Sequence, residues 1–253
     1  MTPPLLLVDD LASAAPGSVV ELPAAEVRHA ASALRIGDGE QVLVSDGRGA
    51  RASCTAVVHG SSFTLVVDRL DTVPRPPVQF TVVQALAKGE HGELAVDLMT
   101  QAGVDRIIPW SAQRSIAQWK GERAQKSLDK WRSAARSAAK QSRRAWIPEV
   151  DAVASTPAVA SALQGCTASF VLHEQATVSL AEVPLPVSGT IALVVGPEGG
   201  IAADELAAFE ACGATAVSIG DGVLRASLAG TVAVSVLSTR LRWAEQPAAG
   251  MGG

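Results

Sequence analysis

Apolar residues recur along this chain at two different periods, and the change from one to the other divides it. In the first 73 residues they gather in short β-rich runs: 19–22 (VVEL), 41–44 (QVLV), 54–58 (CTAVV) and 64–67 (TLVV). Turn sequences such as Gly37-Asp38-Gly39 and Asp46-Gly47-Arg48-Gly49 separate them. Short strands at regular spacing predict a small barrel, with one helix interrupting it at 24–34. Pro74, Pro76 and Pro77 then remove backbone donors and favour extended geometry, as a linker does. The expected organisation is a barrel over 1–73, a second domain over 78–243 and a disordered tail over 244–253.

Beyond Pro77 the rhythm becomes strand, helix, strand. Residues 79–86 are β-rich, 90–102 have helical periodicity closed by Gly103, and 104–109 are again apolar. Over 122–144, Leu128, Trp131, Ala135, Ala138 and Ser142 fall at three- and four-residue steps, the inward stripe of an amphipathic helix. Thr156, read as a cap, and Pro157 open a further helix that stops at Gly165. Strands are expected at 169–172, 190–195 and 216–219, with helices starting near 203 and closing near 241. This alternation predicts an α/β fold. Two of its strand ends carry glycine loops, Gly196-Pro197-Glu198-Gly199-Gly200 and Gly220-Asp221-Gly222, and ligands of open α/β sheets bind outside the carboxyl ends of the strands.

Composition adds limits. With 48% hydrophobic and 18% charged residues among 253, the chain can bury a core. No run of about 20 apolar residues reads as a membrane span, and the first ten residues lack the basic start of a secretory signal, so a cytoplasmic protein is expected. Cys54, Cys166 and Cys212 read as buried thiols, and the scattered histidines predict no metal site. The net charge of −4 conceals a local excess: nine of the 21 basic residues lie between Lys120 and Arg144. Arg132, Arg136, Lys140 and Arg143 share a face there, which is either a solvated surface or a ridge that attracts phosphate.

The glycine loops fit neither a P-loop nor a dinucleotide-binding fingerprint, and no nucleophile elbow occurs. What remains is a backbone-lined pocket. Its residues carry a resemblance: LVVGPEGGIAADEL (193–206) followed by IGDGVLR (219–225) resembles the cofactor region of the SPOUT methyltransferases, in particular the RsmE-type 16S rRNA (uracil-N3)-methyltransferases. HAASALRIGDGEQVLVSDGRG (29–49) and AKQSRRAWIPEV (139–150) are similar to further family segments, in the family's order.

The resemblance implies a PUA-like barrel followed by an α/β domain with a deep trefoil knot, S-adenosylmethionine as cofactor, 16S rRNA of the small subunit as partner, and a homodimer. It places the cofactor among Leu172, His173, Val195, Gly196, Pro197, Glu198, Gly199, Gly200, Ile219, Gly220, Val223, Leu224 and Ser227. Glu198 could equally bond its own loop. Arg225, the cation of the last loop, is the expected catalytic residue, with a phosphate anchor or loop brace as its other reading. Arg28, Arg35, Lys88, Arg114, Arg136, Lys140, Arg143 and Arg144 are the candidates for gripping RNA, and Trp119 and Trp146 for stacking on a base. The chain departs from the family's L-R-x-E-T-A at Ser227 and Leu228, which suggests as one alternative a non-catalytic RNA-binding assembly factor; the other keeps the fold and changes the target, a SPOUT enzyme acting on ribose hydroxyls or tRNA.

Overall fold

The computed structural model describes residues 2–59 and 62–243, so the tail expected at 244–253 lies outside the described residues. The chain folds into two compact units, Met1–Arg75 with Ala139–Ile147, and Pro76–Ala138 with Pro148–Gly253.

The first unit is built on a five-stranded sheet in the order β1-β3-β4-β5-β2. Its strands are β1 (Leu5–Leu7), β2 (Val19–Val20), β3 (Gln41–Ser45), β4 (Ala50–His59) and β5 (Ser62–Thr72). β1 runs parallel to β3 and the remaining pairs are antiparallel. In β4 alternate residues Ala52, Cys54 and Ala56 are fully buried, which is why the strand runs well past the short run 54–58. Burial pushes the Cys54 thiol up to about 11, helped by the charge of Asp68. Cys166 and Cys212 are only half-buried, against expectation. The helix expected at 24–34 is an α turn, α1 (Ala24–Arg28), continued as a wider π turn over His29–Leu34 and ended by Arg35 at φ 52°.

Trp146 belongs to this unit and is fully employed in it. Its indole nitrogen donates to the Val73 carbonyl at 2.8 Å, the Arg75 guanidinium lies 4.0 Å above its ring, and a side chain on Gly49 would collide with it. These contacts tie the half-buried ring into the packing of this unit.

The second unit carries a six-stranded, all-parallel sheet in the order β11-β9-β10-β6-β7-β8. These strands are β6 (Val78–Ala85), β7 (Arg106–Trp110), β8 (Glu149–Val150), β9 (Ala168–Leu172), β10 (Gly189–Val195) and β11 (Thr215–Val217). The helices are α2 (His91–Ala102), α3 (Glu122–Gln141), α4 (Thr156–Gln164), α5 (Ala203–Ala211) and α6 (Ala226–Leu241). β10 shows why its sequence is apolar without alternation. Ile191, Leu193 and Val195 enter one core with Met99, Trp131 and Val234, while Ala192 and Val194 enter the opposite one with Trp110, Val159 and Phe209. Helices α2, α3 and α6 thus cover one face and α4 and α5 the other.

Two expectations are corrected at helix ends. Arg143 adopts φ 55°, so α3 stops at Gln141 and Ser142 leaves the buried stripe. The residue in the extended cap conformation before α4 is Ser155, not Thr156, whose hydroxyl is used elsewhere. Trp119 packs edge-to-face on Trp131 with ring centroids 5.1 Å apart. Among the described residues, no helix is long and apolar enough to cross a membrane.

Candidate functional site

Parallel strands deliver their connecting loops to one edge, and at the carboxyl ends of β9, β10 and β11 three loops enclose a cleft of about 1010 Å³. It is lined by each of the thirteen pocket residues expected from Leu172 to Ser227, and by Arg225. His91, Gln175 and Arg114 line it as well. The first two carry no sequence signal, being single residues outside any glycine loop, and Arg114 reads from sequence as an RNA contact.

The loop after β10 is fixed in detail. Gly196 is required by packing, because a Cβ there would stand 2.6 Å from Ile201 Cγ1. Gly200 closes the turn at φ 74°, donating from its N–H to the Pro197 carbonyl at 2.9 Å. Arg114 donates from Nη1 to the Gly199 carbonyl at 3.2 Å. Glu198 is exposed and makes no hydrogen bond to its own loop among the described residues, so the alternative of a self-bonding loop acid is not what the geometry shows.

Beneath this loop lies the start of α5. Glu205, 1% exposed, turns back to accept from the Ala202 N–H at 3.2 Å, the carboxylate half of a capping box. Its neighbour Asp204 is exposed and accepts from the Gln113 amide, which holds its carboxyl below the ordinary value.

The loop after β11 is different. Gly220 sits at φ 146° with open space where a Cβ would project, and the same space surrounds Gly222. Val223 is 80% exposed. Arg225 ends the loop as the extended residue before α6, its carbonyl accepting from the N–H groups of Leu228 and Ala229 at 2.9 and 3.0 Å. Its side chain is exposed at the cleft, and Ser227 is buried one step into the helix. Gly230 lets α6 approach β10, since a Cβ there would meet Met99 Sδ at 2.6 Å and Val195 at 3.5 Å. At the end of β9, His173 donates from its N–H to the Val217 carbonyl at 3.0 Å, and its Nδ1 accepts from Gln175 N at 3.2 Å.

The structure separates the basic candidates. Lys140 does not stand on a free ridge: its ammonium lies 2.7 and 3.0 Å from the two oxygens of Glu26, both side chains being about 15% exposed. Arg143 donates to the Thr2 carbonyl at 3.2 Å, and Arg132 to that of Val150 at 3.2 Å. Arg144 is half-buried. Arg28, Arg35, Lys88 and Arg136 are exposed, and of the eight only Arg114 lines the cleft.

Comparison with known proteins adds independent findings. A family model described as an RNA methyltransferase domain matches residues 74–238. Ribosomal RNA small subunit methyltransferase E of Mycobacterium tuberculosis is 46% identical over 234 residues, 88% of this chain and 88% of the relative. The protein of the same name in Bacillus subtilis is 26% identical over 222 residues, 84% of this chain and 87% of the relative. Among solved structures, a ribosomal RNA small subunit methyltransferase E from Neisseria gonorrhoeae bound to S-adenosyl methionine aligns with a TM-score of 0.82 at 25% identity, over 95% of this chain and 98% of that one.

Proposed function

We propose, from the premise that this chain belongs to the RNA methyltransferase family of the ribosomal RNA small subunit methyltransferases E, that it transfers a methyl group from S-adenosylmethionine to N3 of a uridine in 16S rRNA. The observation that carries this reading is the convergence of three strand-end loops and Arg225 on one cleft.

The residues present fit the cofactor. The cleft volume of about 1010 Å³ admits a ligand of nucleoside size. Open space beside Gly220 and Gly222 lets adenine and ribose approach the backbone, while half-buried Leu172, Ile219 and Leu224 supply apolar walls. When bound, S-adenosylmethionine supplies an electrophilic methyl group on a sulfonium. The chain's own task is to manage the uracil. Release of the N3 proton to solvent at the open cleft leaves negative charge on O2 and O4, and the exposed guanidinium of Arg225, carried by the residue before α6, stabilises that charge. A base inside a helix cannot reach such a cleft, so the target uridine is unpaired or flipped.

The first unit acts in this reading as a PUA-like barrel over residues 1–73 that grips RNA, with exposed Arg28 and Arg35 meeting phosphates. Residues 78–243 form the knotted SPOUT domain. The working form is a homodimer, a reading supported by the exposed apolar residues Val223 and Leu228, 80% and 40% exposed, and ribosomal RNA as substrate places its action in the cytoplasm.

Mass spectrometry of ribosomal RNA nucleosides from a strain lacking this protein tests the assignment. Loss of 3-methyluridine from 16S rRNA is expected. Its retention, with loss of a ribose methylation or of a tRNA modification instead, would transfer the cleft to another RNA target.

A further inference from the structure

Arg114 and the buried carboxylate of Glu205 are joined by a chain of short contacts that ends on the cofactor loop. Oε1 of Glu205 accepts from Gln113 N and from Thr156 Oγ1, each at 2.9 Å, and Oε2 accepts from Ala202 N at 3.2 Å. One carboxylate thereby ties together the segment after β7, the first residue of α4 and the entry to α5. The residue after Gln113 is Arg114, whose backbone and side chain form the wall against Gly199. A Cβ on Gly199 would stand 3.3 Å from Arg114 Cβ and 3.4 Å from its carbonyl oxygen. The Arg114 guanidinium then reaches the Gly199 carbonyl at 3.2 Å.

We infer that Glu205 is a positioning residue for the cofactor loop and that Arg114 is the contact through which it acts, so Arg114 belongs to the cofactor site and not to the RNA grip. The inference rests on the reading of the cleft as an S-adenosylmethionine site. Its physical basis is the donor count. Three donors converge on Glu205, and only an ionised carboxylate presents two acceptor oxygens with no donor of its own. An amide in its place would set an NH₂ group against the Ala202 N–H, leaving buried donors facing each other. The segment after β7 that carries Gln113 and Arg114 would then shift against Gly199, where contacts are already tight. Phosphate grip is a separate property that this chain of contacts does not touch, since phosphate contacts show themselves in the salt dependence of RNA binding.

The test is a double-mutant cycle on the full-length protein, read by calorimetry with S-adenosylmethionine. Glu205→Gln and Arg114→Met are each expected to weaken binding by about tenfold, the effect of losing one hydrogen bond to a charged group. The double variant should be no more than about twofold weaker than the worse single, because the second change has nothing left to act through. In turnover assays KM for the cofactor should rise while kcat at saturation holds, and the salt dependence of Arg114→Met binding to 16S rRNA should match the wild type. A double variant weakened by about a hundredfold would show that the two residues act independently and overturn the inference. So would an Arg114→Met variant that binds within twofold of wild type, a result that stands even if Glu205→Gln fails to fold. Failure of the wild-type protein to bind S-adenosylmethionine would instead remove the functional reading itself.

Discussion

The two glycine loops face the same cleft but are built in opposite ways. The loop from Gly196 to Ile201 is braced at four points: by its own turn bond, by Ile201 packed where a Gly196 side chain would be, by Arg114 on Gly199 and by Glu205 at the entry to α5. Between Ile219 and Leu224 the other loop makes no hydrogen bond among the described residues, and its Val223 and Arg225 are exposed. The first arrangement is suited to binding, which gains from a surface already in place. The second leaves Arg225, the residue before α6, and its surroundings exposed, as the proposed approach of RNA to this side of the cleft requires.

That contrast can be broken at several points. The largest effect is expected for Arg225→Ala, which should lower methyl transfer by roughly 10²–10³-fold with S-adenosylmethionine affinity unchanged in calorimetry. Equal loss of cofactor binding would place Arg225 in the braced half of the site. Glu205→Ala removes the acceptor of three buried or half-buried bonds and should cost about 3 kcal/mol in urea unfolding, whereas a variant within 0.5 kcal/mol or so would mean the brace is dispensable. A matched glycine pair gives a finer reading. Gly200→Ala forces a side chain at φ 74° and should destabilise by about 1 kcal/mol, while Gly222→Ala, in open space, should be close to neutral. Reversal of that order would contradict the contrast directly.

The smallest effect concerns acid. The hydrogen bond from Gln113 lowers the folded-state pKa of Asp204 below its ordinary value near 3.9. Any stabilisation it gives is therefore complete above that ordinary value and disappears as the pH falls through the lowered one. The melting temperatures of wild type and Asp204→Asn should differ slightly at neutral pH and converge as the pH falls through the lowered value. Divergence on acidification would give the shift the wrong sign.

What can be read in the sequence follows the physical scale of each interaction. β10 and its loop are legible because a buried parallel strand needs an unbroken apolar run, and because glycine is the residue that fits beside Ile201 and at φ 74°. Helix α3 is legible through Leu128, Trp131, Ala135 and Ala138, but its end is not, because Arg143 reverses the backbone with a residue type that gives little warning. Charge is the least legible feature. Lys140 and Arg132 look like members of a free ridge, yet their partners Glu26 and Val150 are 114 and 18 residues away. The packing of Trp146 is hidden for the same reason, since Val73 and Gly49 are brought to it only by folding. β1 gives little sequence signal because a run of three buried leucines is too short to tell a strand from a helix.

The central claim is that this cleft holds S-adenosylmethionine and that Arg225 directs its methyl group to uracil N3. It is tested most directly by incubating purified protein with small ribosomal subunits and methyl-labelled S-adenosylmethionine, then mapping the labelled nucleotide by mass spectrometry. The account predicts label in 3-methyluridine of 16S rRNA with the wild-type protein and its loss with Arg225→Ala. Label on a ribose hydroxyl or another base, or full transfer by Arg225→Ala, would contradict it.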